Sequence, residues 1–148
     1  MKSRDFLTLA QALLKESTEV AWRSAVSRAY YAAFHVAREL LQDLGFVVPK
    51  AERAHAYLWR RLSNCGDPRL QAAGHEINDL RGDRNEADYD LRLSLAQTIA
   101  DGQVRTARKI IDVLAIATAE PMRSAILDAM KVYERDILKE MTWQPPKS

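Results

Sequence analysis

Four side chains that can bind phosphate or move a proton fall on one stretch of the chain. They are Arg28, Tyr31, His35 and Arg38. Their spacings of three, four and three residues place them on one face of an α-helix. Guanidinium groups can hold phosphates, and a tyrosine ring can stack on a base. The alternative is a polar stripe that meets water, or another helix through satisfied hydrogen bonds.

A second polar stretch, residues 81–90, has the sequence RGDRNEADYD. If it is helical, Arg81, Arg84 and Asp88 share one face. Arg84 and Asp88 are then four residues apart and can form an ion pair. The alternative is a solvated helix end, where surface ion pairs contribute little to stability.

A third group of basic side chains lies in the stretch that follows Pro49. It comprises Arg53, His55, Arg60 and Arg61. Such a group is usually a solvated helix face, and we predict that it is one here.

Metal and cofactor chemistry has little support in the sequence. The three histidines, His35, His55 and His75, lack the spacing of metal ligands. Cys65 is the single cysteine, which rules out an internal disulfide and a cysteine-based zinc site. We therefore predict no metal and no cofactor.

The elements that must position these side chains are helices. Apolar residues recur every three or four positions, and glycine and proline fall between such runs. The pattern predicts about five to six helices, at about residues 3–16, 18–44, 49–64, 68–80, 93–119 and 121–141. The second is expected to be central, with these residues buried: Trp22, Val26, Ala33, Phe34 and Leu40. Residues 81–92 are expected to form a helix end or a bend.

Short connections between long helices predict an all-α antiparallel bundle. The length of 148 residues fits one domain, which we place at residues 1–142. Residues 143–148, with Pro145 and Pro146, are predicted to be a disordered tail.

The overall charge of +2 provides no strong field, so any phosphate site must be local. We find no secretory leader and no apolar run of about 20 residues that would span a membrane. A single cysteine fits a reducing compartment, so the sequence predicts a cytoplasmic protein.

Two stretches together resemble the HEPN family, the higher eukaryotes and prokaryotes nucleotide-binding domain. One is SRAYYAAFH at residues 27–35, followed by ARELL at 37–41, and the other is LRGDRNEADYD at residues 80–90. The pair is much more specific than either stretch alone. The resemblance covers about residues 3–120.

The resemblance implies a helical bundle, often a homodimer, and in many members a toxin encoded beside a small nucleotidyltransferase. Active members cleave RNA without metal, through an Arg, a polar residue and then a His, with four to six residues between the Arg and the His. A base takes the ribose 2′-OH proton for attack on the phosphate, and the Arg stabilises the charge that develops.

Arg84 and Asn85 match the start of this motif, but the His is missing. Tyr89, Asp90 and Leu91 occupy the positions where it would stand. Some related toxins also carry, two residues after the His, a Tyr that the nucleotidyltransferase modifies with AMP, and Leu91 occupies that position here. The sequence is similar to a subgroup with an Arg…Arg…Ala-Asp-Tyr pattern.

These considerations predict the HEPN component of a toxin–antitoxin or defence system, which binds nucleotide or RNA in a dimer cleft. The candidate catalytic residues are Arg84, Asn85, Asp88, Tyr89 and His35. The candidate nucleotide- or RNA-binding residues are Arg28, Tyr31, Arg38 and Arg81. A metal-independent ribonuclease toxin is the alternative, and a structural adaptor is a lesser one. The expected partners are a second copy of the chain and a nucleotidyltransferase antitoxin.

Overall fold

A computed structural model describes residues 1–145 of the chain. The helices are α1 Arg4–Leu14, α2 Glu19–Leu44, α3 Arg53–Leu62, α4 Pro68–Tyr89, α5 Gln97–Ile116 and α6 Met122–Tyr133. A π-helical turn, Glu134–Leu138, follows α6. Residues 1–145 contain no strand, so the predicted all-α fold class is confirmed. No helix in this range is long and apolar enough to cross a membrane.

The helix boundaries follow local signals in the sequence. Thr18 Oγ1 accepts a hydrogen bond from the backbone N–H of Ala21 at 3.2 Å and caps the start of α2. Asp67 Oδ1 accepts from the N–H groups of Arg69 and Leu70 at 2.9 and 3.1 Å, as the Asp-Pro pair predicts for the start of α4. Gly45 ends α2 with φ of 109°, a conformation that favours glycine.

The chain forms two compact units, each made of two chain segments. Unit 1 comprises residues 1–36 and 76–111, and unit 2 comprises residues 37–75 together with the chain from residue 112 onward. Unit 1 therefore holds α1, the first part of α2, the second part of α4 and most of α5. The single domain at residues 1–142 stays a prediction.

Four of the five residues predicted to be buried on α2 are buried: Val26, Ala33, Phe34 and Leu40. The prediction for Trp22 is wrong, since its side chain is only partly buried. The cause is its indole N–H, which donates to the carbonyl oxygen of Glu16 at 2.8 Å and keeps the ring near the surface. The ring still packs against a small apolar cluster formed by Val26, Ala87 and Ala100.

Residues 81–92 contain a helix end, which is the first of the two predicted alternatives, because α4 continues through Tyr89 and ends there. Helix α5 begins at Gln97, four residues after the predicted start. Between the two helices, the Arg92 N–H donates to Asp90 Oδ1 at 3.2 Å, and the Leu95 N–H donates to a carboxylate oxygen of Glu19. Leu91 and Leu93 are exposed.

The last helix is shorter than predicted, since α6 ends at Tyr133. The next residue, Glu134, turns its carboxylate inward, where it accepts from the N–H groups of Thr142 and Trp143 at 2.9 and 3.2 Å. Trp143, the first residue of the predicted tail, also donates from its indole to Leu44 O at 2.8 Å. Residues 146–148 of that tail lie outside the described residues.

The basic group in α3 is only partly solvated, which corrects the prediction made for it. Arg53 and Arg60 are exposed, whereas His55 and Arg61 are buried. Arg61 is 4% exposed because its guanidinium pairs with the buried carboxylate of Glu134 at 2.8 Å. A buried charge needs such a partner.

Candidate functional site

Residues 81–89 of the second polar stretch form the last turns of α4, in unit 1. Arg84 Nε lies 3.0 Å from Asp88 Oδ2, which is the ion pair that the four-residue spacing predicts. The Arg84 side chain is 15% exposed, so the pair is partly shielded from water. Ser27 on α2 donates to the same Asp88 oxygen at 3.2 Å and orients the carboxylate.

The Arg84 guanidinium is also held by its neighbour in the chain. Its Nη1 donates to Asn85 Oδ1 at 3.0 Å. Asp88 and Asn85 both contact the guanidinium, although its Nε is buried and makes no hydrogen bond within residues 1–145. A guanidinium can bind an anionic group through two parallel N–H donors.

Two tyrosine rings flank this guanidinium. Arg84 Cζ lies 5.1 Å from the centre of the Tyr31 ring and 5.8 Å from that of Tyr89. Both distances are within the range of cation–π attraction. Tyr89 is 73% exposed, so its ring is open to a ligand. We call Tyr31, Arg84, Asn85, Asp88 and Tyr89 the Arg84 cluster.

His35 also lies near Tyr31. Its ring centre is 6.2 Å from that of Tyr31 and 5.1 Å from that of Phe6, with which it stacks. The Phe34 ring meets it edge-on at 5.2 Å. The structure thus brings His35 into an aromatic group that shares Tyr31 with the Arg84 cluster.

The remaining predicted binding residues lie outside the Arg84 cluster. Arg28 is exposed on α2, three residues before Tyr31. Arg81 is partly buried on α4, three residues before Arg84. Arg38 is partly exposed and belongs to unit 2. Among residues 1–145, no three His, Cys, Asp or Glu side chains come together as metal ligands.

The comparison with protein families decides the identity of the fold. The model of the HEPN domain matches residues 1–134. The chain belongs to the HEPN family. No curated protein and no solved structure gives a significant match. The match includes α6, which reaches beyond the stretch at residues 3–120 that the resemblance suggested.

Arg84 and Asn85, which match the start of the expected motif, lie side by side on α4. At the positions where the resemblance places the family's His, the chain has Tyr89 on the last turn of the helix, then Asp90 and Leu91 beyond the helix end. The imidazole that lies next to the cluster comes from α2, as His35.

Arg23, which no sequence pattern singled out, binds backbone carbonyl groups at the end of α4. Its Nη1 donates to the carbonyl oxygens of Ala87 and Asp90, each at 3.0 Å, and its Nη2 donates to that of Leu93. It also pairs with Glu19 at 3.5 Å. The spacing of Glu19 and Arg23 was a signal for the ion pair. The bonds to backbone carbonyl groups could not be predicted, because every residue type has such a group.

Asp83, on the same helix, carries a perturbed carboxyl group. Partial burial raises its pKa above the ordinary value, and the nearby carboxylates of Glu86 and Asp79 raise it further. Helix α4 therefore mixes acidic and basic groups around the motif, and the Arg84 cluster does not lie in a uniformly basic field.

Proposed function

We propose that this HEPN protein binds single-stranded RNA or a nucleotide through the Arg84 cluster, as the HEPN component of a toxin–antitoxin or defence system. The observation that carries the proposal is the arginine fixed between two tyrosine rings. A phosphate with a base beside it is the ligand that this combination fits best.

The chemistry of the cluster supports that choice. Asp88 and Asn85 fix the guanidinium before a ligand arrives, which lowers the entropy lost on binding a phosphate. Stacking of a base on an aromatic ring contributes about 1–3 kcal/mol per base and tolerates any sequence. The exposed ring of Tyr89 provides such a surface. Arg28 and Arg81 are proposed to bind flanking phosphates, and Arg38, which belongs to unit 2, is not included in this site.

We also propose that two copies associate next to the cluster. Tyr89, Leu91 and Leu93 follow one another around the end of α4, and all three are exposed. Leu91 is 82% exposed. Three exposed apolar side chains within five residues support an interaction surface there. Sedimentation is expected to give a dimer at tens of micromolar, and a monomer there would refute the association.

The proposed partner is a small nucleotidyltransferase antitoxin, and family membership supports it. Leu91 has no hydroxyl group, so AMP cannot be attached at that position. We therefore propose that the partner acts by binding. A nucleotidyltransferase gene beside the gene for this chain is the expected observation.

Fluorescence anisotropy with a short single-stranded RNA tests the binding proposal. Arg84→Ala is expected to weaken binding about tenfold or more, since a charge-assisted hydrogen bond contributes about 1.5–3 kcal/mol. Arg92→Ala is the matched control, because that arginine is 95% exposed and lies eight residues away. Equal affinities in all three proteins would refute the proposal. Absence of any RNA or nucleotide binding would favour a structural adaptor.

A second candidate function is metal-independent RNA cleavage with a displaced base. The observation that favours it is the position of His35 against Tyr31, the ring that Arg84 also meets. Imidazole is well suited to remove a proton near neutral pH. In this mechanism His35 takes the 2′-OH proton, the 2′ oxygen attacks the phosphorus, and Arg84 stabilises the phosphorane-like state. The P–O5′ bond then breaks and the 5′ oxygen takes a proton from water, which leaves a 2′,3′-cyclic phosphate and a 5′-hydroxyl end.

RNA cleavage in the presence of EDTA separates the two candidates. The enzyme hypothesis expects cleavage that Arg84→Ala abolishes and His35→Ala reduces about 10²–10⁴-fold, the usual contribution of a general base. Cleavage no faster than in buffer, or equal in all three proteins, leaves the binding function alone.

A further inference from the structure

We propose that unit 2 holds a second binding site, for a small organic anion with an apolar body, between α3 and the chain that follows α6. The cavity there has a volume of about 450 Å³. This size is in the range of small-molecule sites. No residue of the Arg84 cluster lines it, so the proposal goes beyond the function proposed above.

One wall of the cavity is a single face of α3. Arg53, Tyr57, Arg60 and Arg61 line it, and Tyr57 lies four residues from Arg53 and from Arg61 and three from Arg60. Such intervals bring the side chains to the same side of a helix. The predicted solvated face is therefore the wall of a concave site.

A buried network holds this wall in place. The Glu134 carboxylate, which is fully buried, accepts from Arg61 Nε at 2.9 Å and from the Thr142 hydroxyl. Thr142 Oγ1 in turn lies 2.6 Å from the Tyr57 hydroxyl. The Arg61 guanidinium covers the Tyr57 ring at 3.4 Å. Burial raises the pKa of Tyr57, so its hydroxyl keeps the proton that it donates to Thr142.

The positive charge of the cavity comes from Arg53 and Arg60, which do not take part in this network. Glu134 neutralises Arg61. Arg53 and Arg60 are exposed and have no carboxylate partner among residues 1–145, although Arg60 also lies 6.0 Å from the Trp59 ring. Glu140 contributes one negative charge to the lining. Two cations against one carboxylate favour an anion, and a guanidinium can bind carboxylate or phosphate in a bidentate manner.

Part of the lining is apolar. It includes Val47 and Pro49 from the loop after α2, and Leu138 from the π-helical turn. Val47 is more than half exposed. A cavity lined by two arginines and by aliphatic side chains fits a ligand with a charged head and an aromatic or aliphatic body, because burial of apolar surface adds affinity. Inorganic phosphate alone would leave the aliphatic side chains uncovered.

Calorimetric titration tests the site with phenyl phosphate and benzoate as probes. Inorganic phosphate and benzylamine serve as comparisons. The site predicts binding of one or both aromatic anions, weaker binding of inorganic phosphate and none of benzylamine. The stronger of the two aromatic anions identifies the head group. Failure of both to bind at millimolar concentration would refute the site.

Variants assign the binding to this cavity. Arg53→Ala/Arg60→Ala is expected to weaken it about tenfold or more, and Glu140→Gln to strengthen it. Lys50→Ala/Arg69→Ala removes the same charge from exposed residues outside the lining and is expected to leave the affinity unchanged. Arg84→Ala is also expected to have no effect, which separates this site from the proposed RNA site. Equal affinity in the two double variants would overturn the assignment.

Discussion

The guanidinium carbon of Arg84 lies 5.1 Å from the centre of the Tyr31 ring. The two residues are 53 positions apart in the chain, one on α2 and one on α4. A cation held over an aromatic face is attracted to it, and both groups can still contact a nucleotide. This pair joins the two sequence stretches by which the HEPN resemblance was found.

Substitutions of Tyr31 distinguish stacking from hydroxyl chemistry. Tyr31→Phe keeps the ring and is expected to retain RNA affinity within about twofold, whereas Tyr31→Ala is expected to lose about 1–3 kcal/mol of binding free energy. The measurement is anisotropy with the same short RNA. If Tyr31→Phe loses as much as Tyr31→Ala, the hydroxyl matters and the stacking account is wrong.

Arg23→Ala is expected to destabilise the end of α4. The change removes the donors to the carbonyl oxygens of Ala87, Asp90 and Leu93 and costs about 1–3 kcal/mol in the free energy of unfolding. Urea denaturation measures the loss, and hydrogen exchange is expected to accelerate at residues 87–95. Arg28→Ala, an exposed arginine on the same helix, is the control. Equal stability of the two variants would show that the capping bonds contribute nothing.

Asp83→Asn is expected to stabilise the protein at pH 7. The pKa of this carboxyl is raised in the folded state, so its ionised form favours unfolding. The stabilisation is fully present above the raised pKa. It shrinks as the pH falls and vanishes below the pKa of the unfolded chain, near 3.8.

Chemical denaturation at pH 7 and near pH 4 measures the effect of Asp83→Asn. Asp128→Asn, at an exposed aspartate on α6, is the control and is expected to leave stability unchanged at both values. A gain in the free energy of unfolding from Asp83→Asn that is larger near pH 4 than at pH 7 would contradict the prediction.

Glu134→Gln is expected to destabilise strongly, because Arg61 would keep a buried charge without a partner. Removal of one member of a buried ion pair costs about 3–5 kcal/mol. Replacement of both members, in Arg61→Met/Glu134→Gln, is expected to recover part of the loss. Thermal or urea unfolding measures both variants, with Asp136→Asn as an exposed control. A loss below about 1 kcal/mol for Glu134→Gln would contradict the role of the pair.

Local signals made much of the fold predictable from the sequence. The Asp67-Pro68 pair gave the start of α4, and the four-residue spacing gave the Arg84–Asp88 ion pair. These features depend on neighbours within one helical turn. The contact of Tyr31 with Arg84 needed the packing of two helices, which periodicity alone does not determine.

The features that the sequence did not predict depend on distant partners. Arg23 binds backbone carbonyl groups about 65 residues away, and every residue type has such groups. In the sequence, Glu134 cannot be told from a charged residue on a surface helix. Its burial depends on the contacts with Arg61, Thr142 and Trp143, which only the folded structure provides.

The salt dependence of RNA affinity in wild type and Arg84→Ala tests the central claim most directly. Each phosphate contact to a single strand contributes about −0.7 to the slope of log affinity against log salt. Because acidic groups surround the motif, we expect a wild-type slope of about −0.7 to −2, equivalent to one to three phosphate contacts. Arg84→Ala is expected to be shallower by about 0.7, with Arg92→Ala unchanged. Identical slopes and affinities in the wild type and Arg84→Ala would contradict the account.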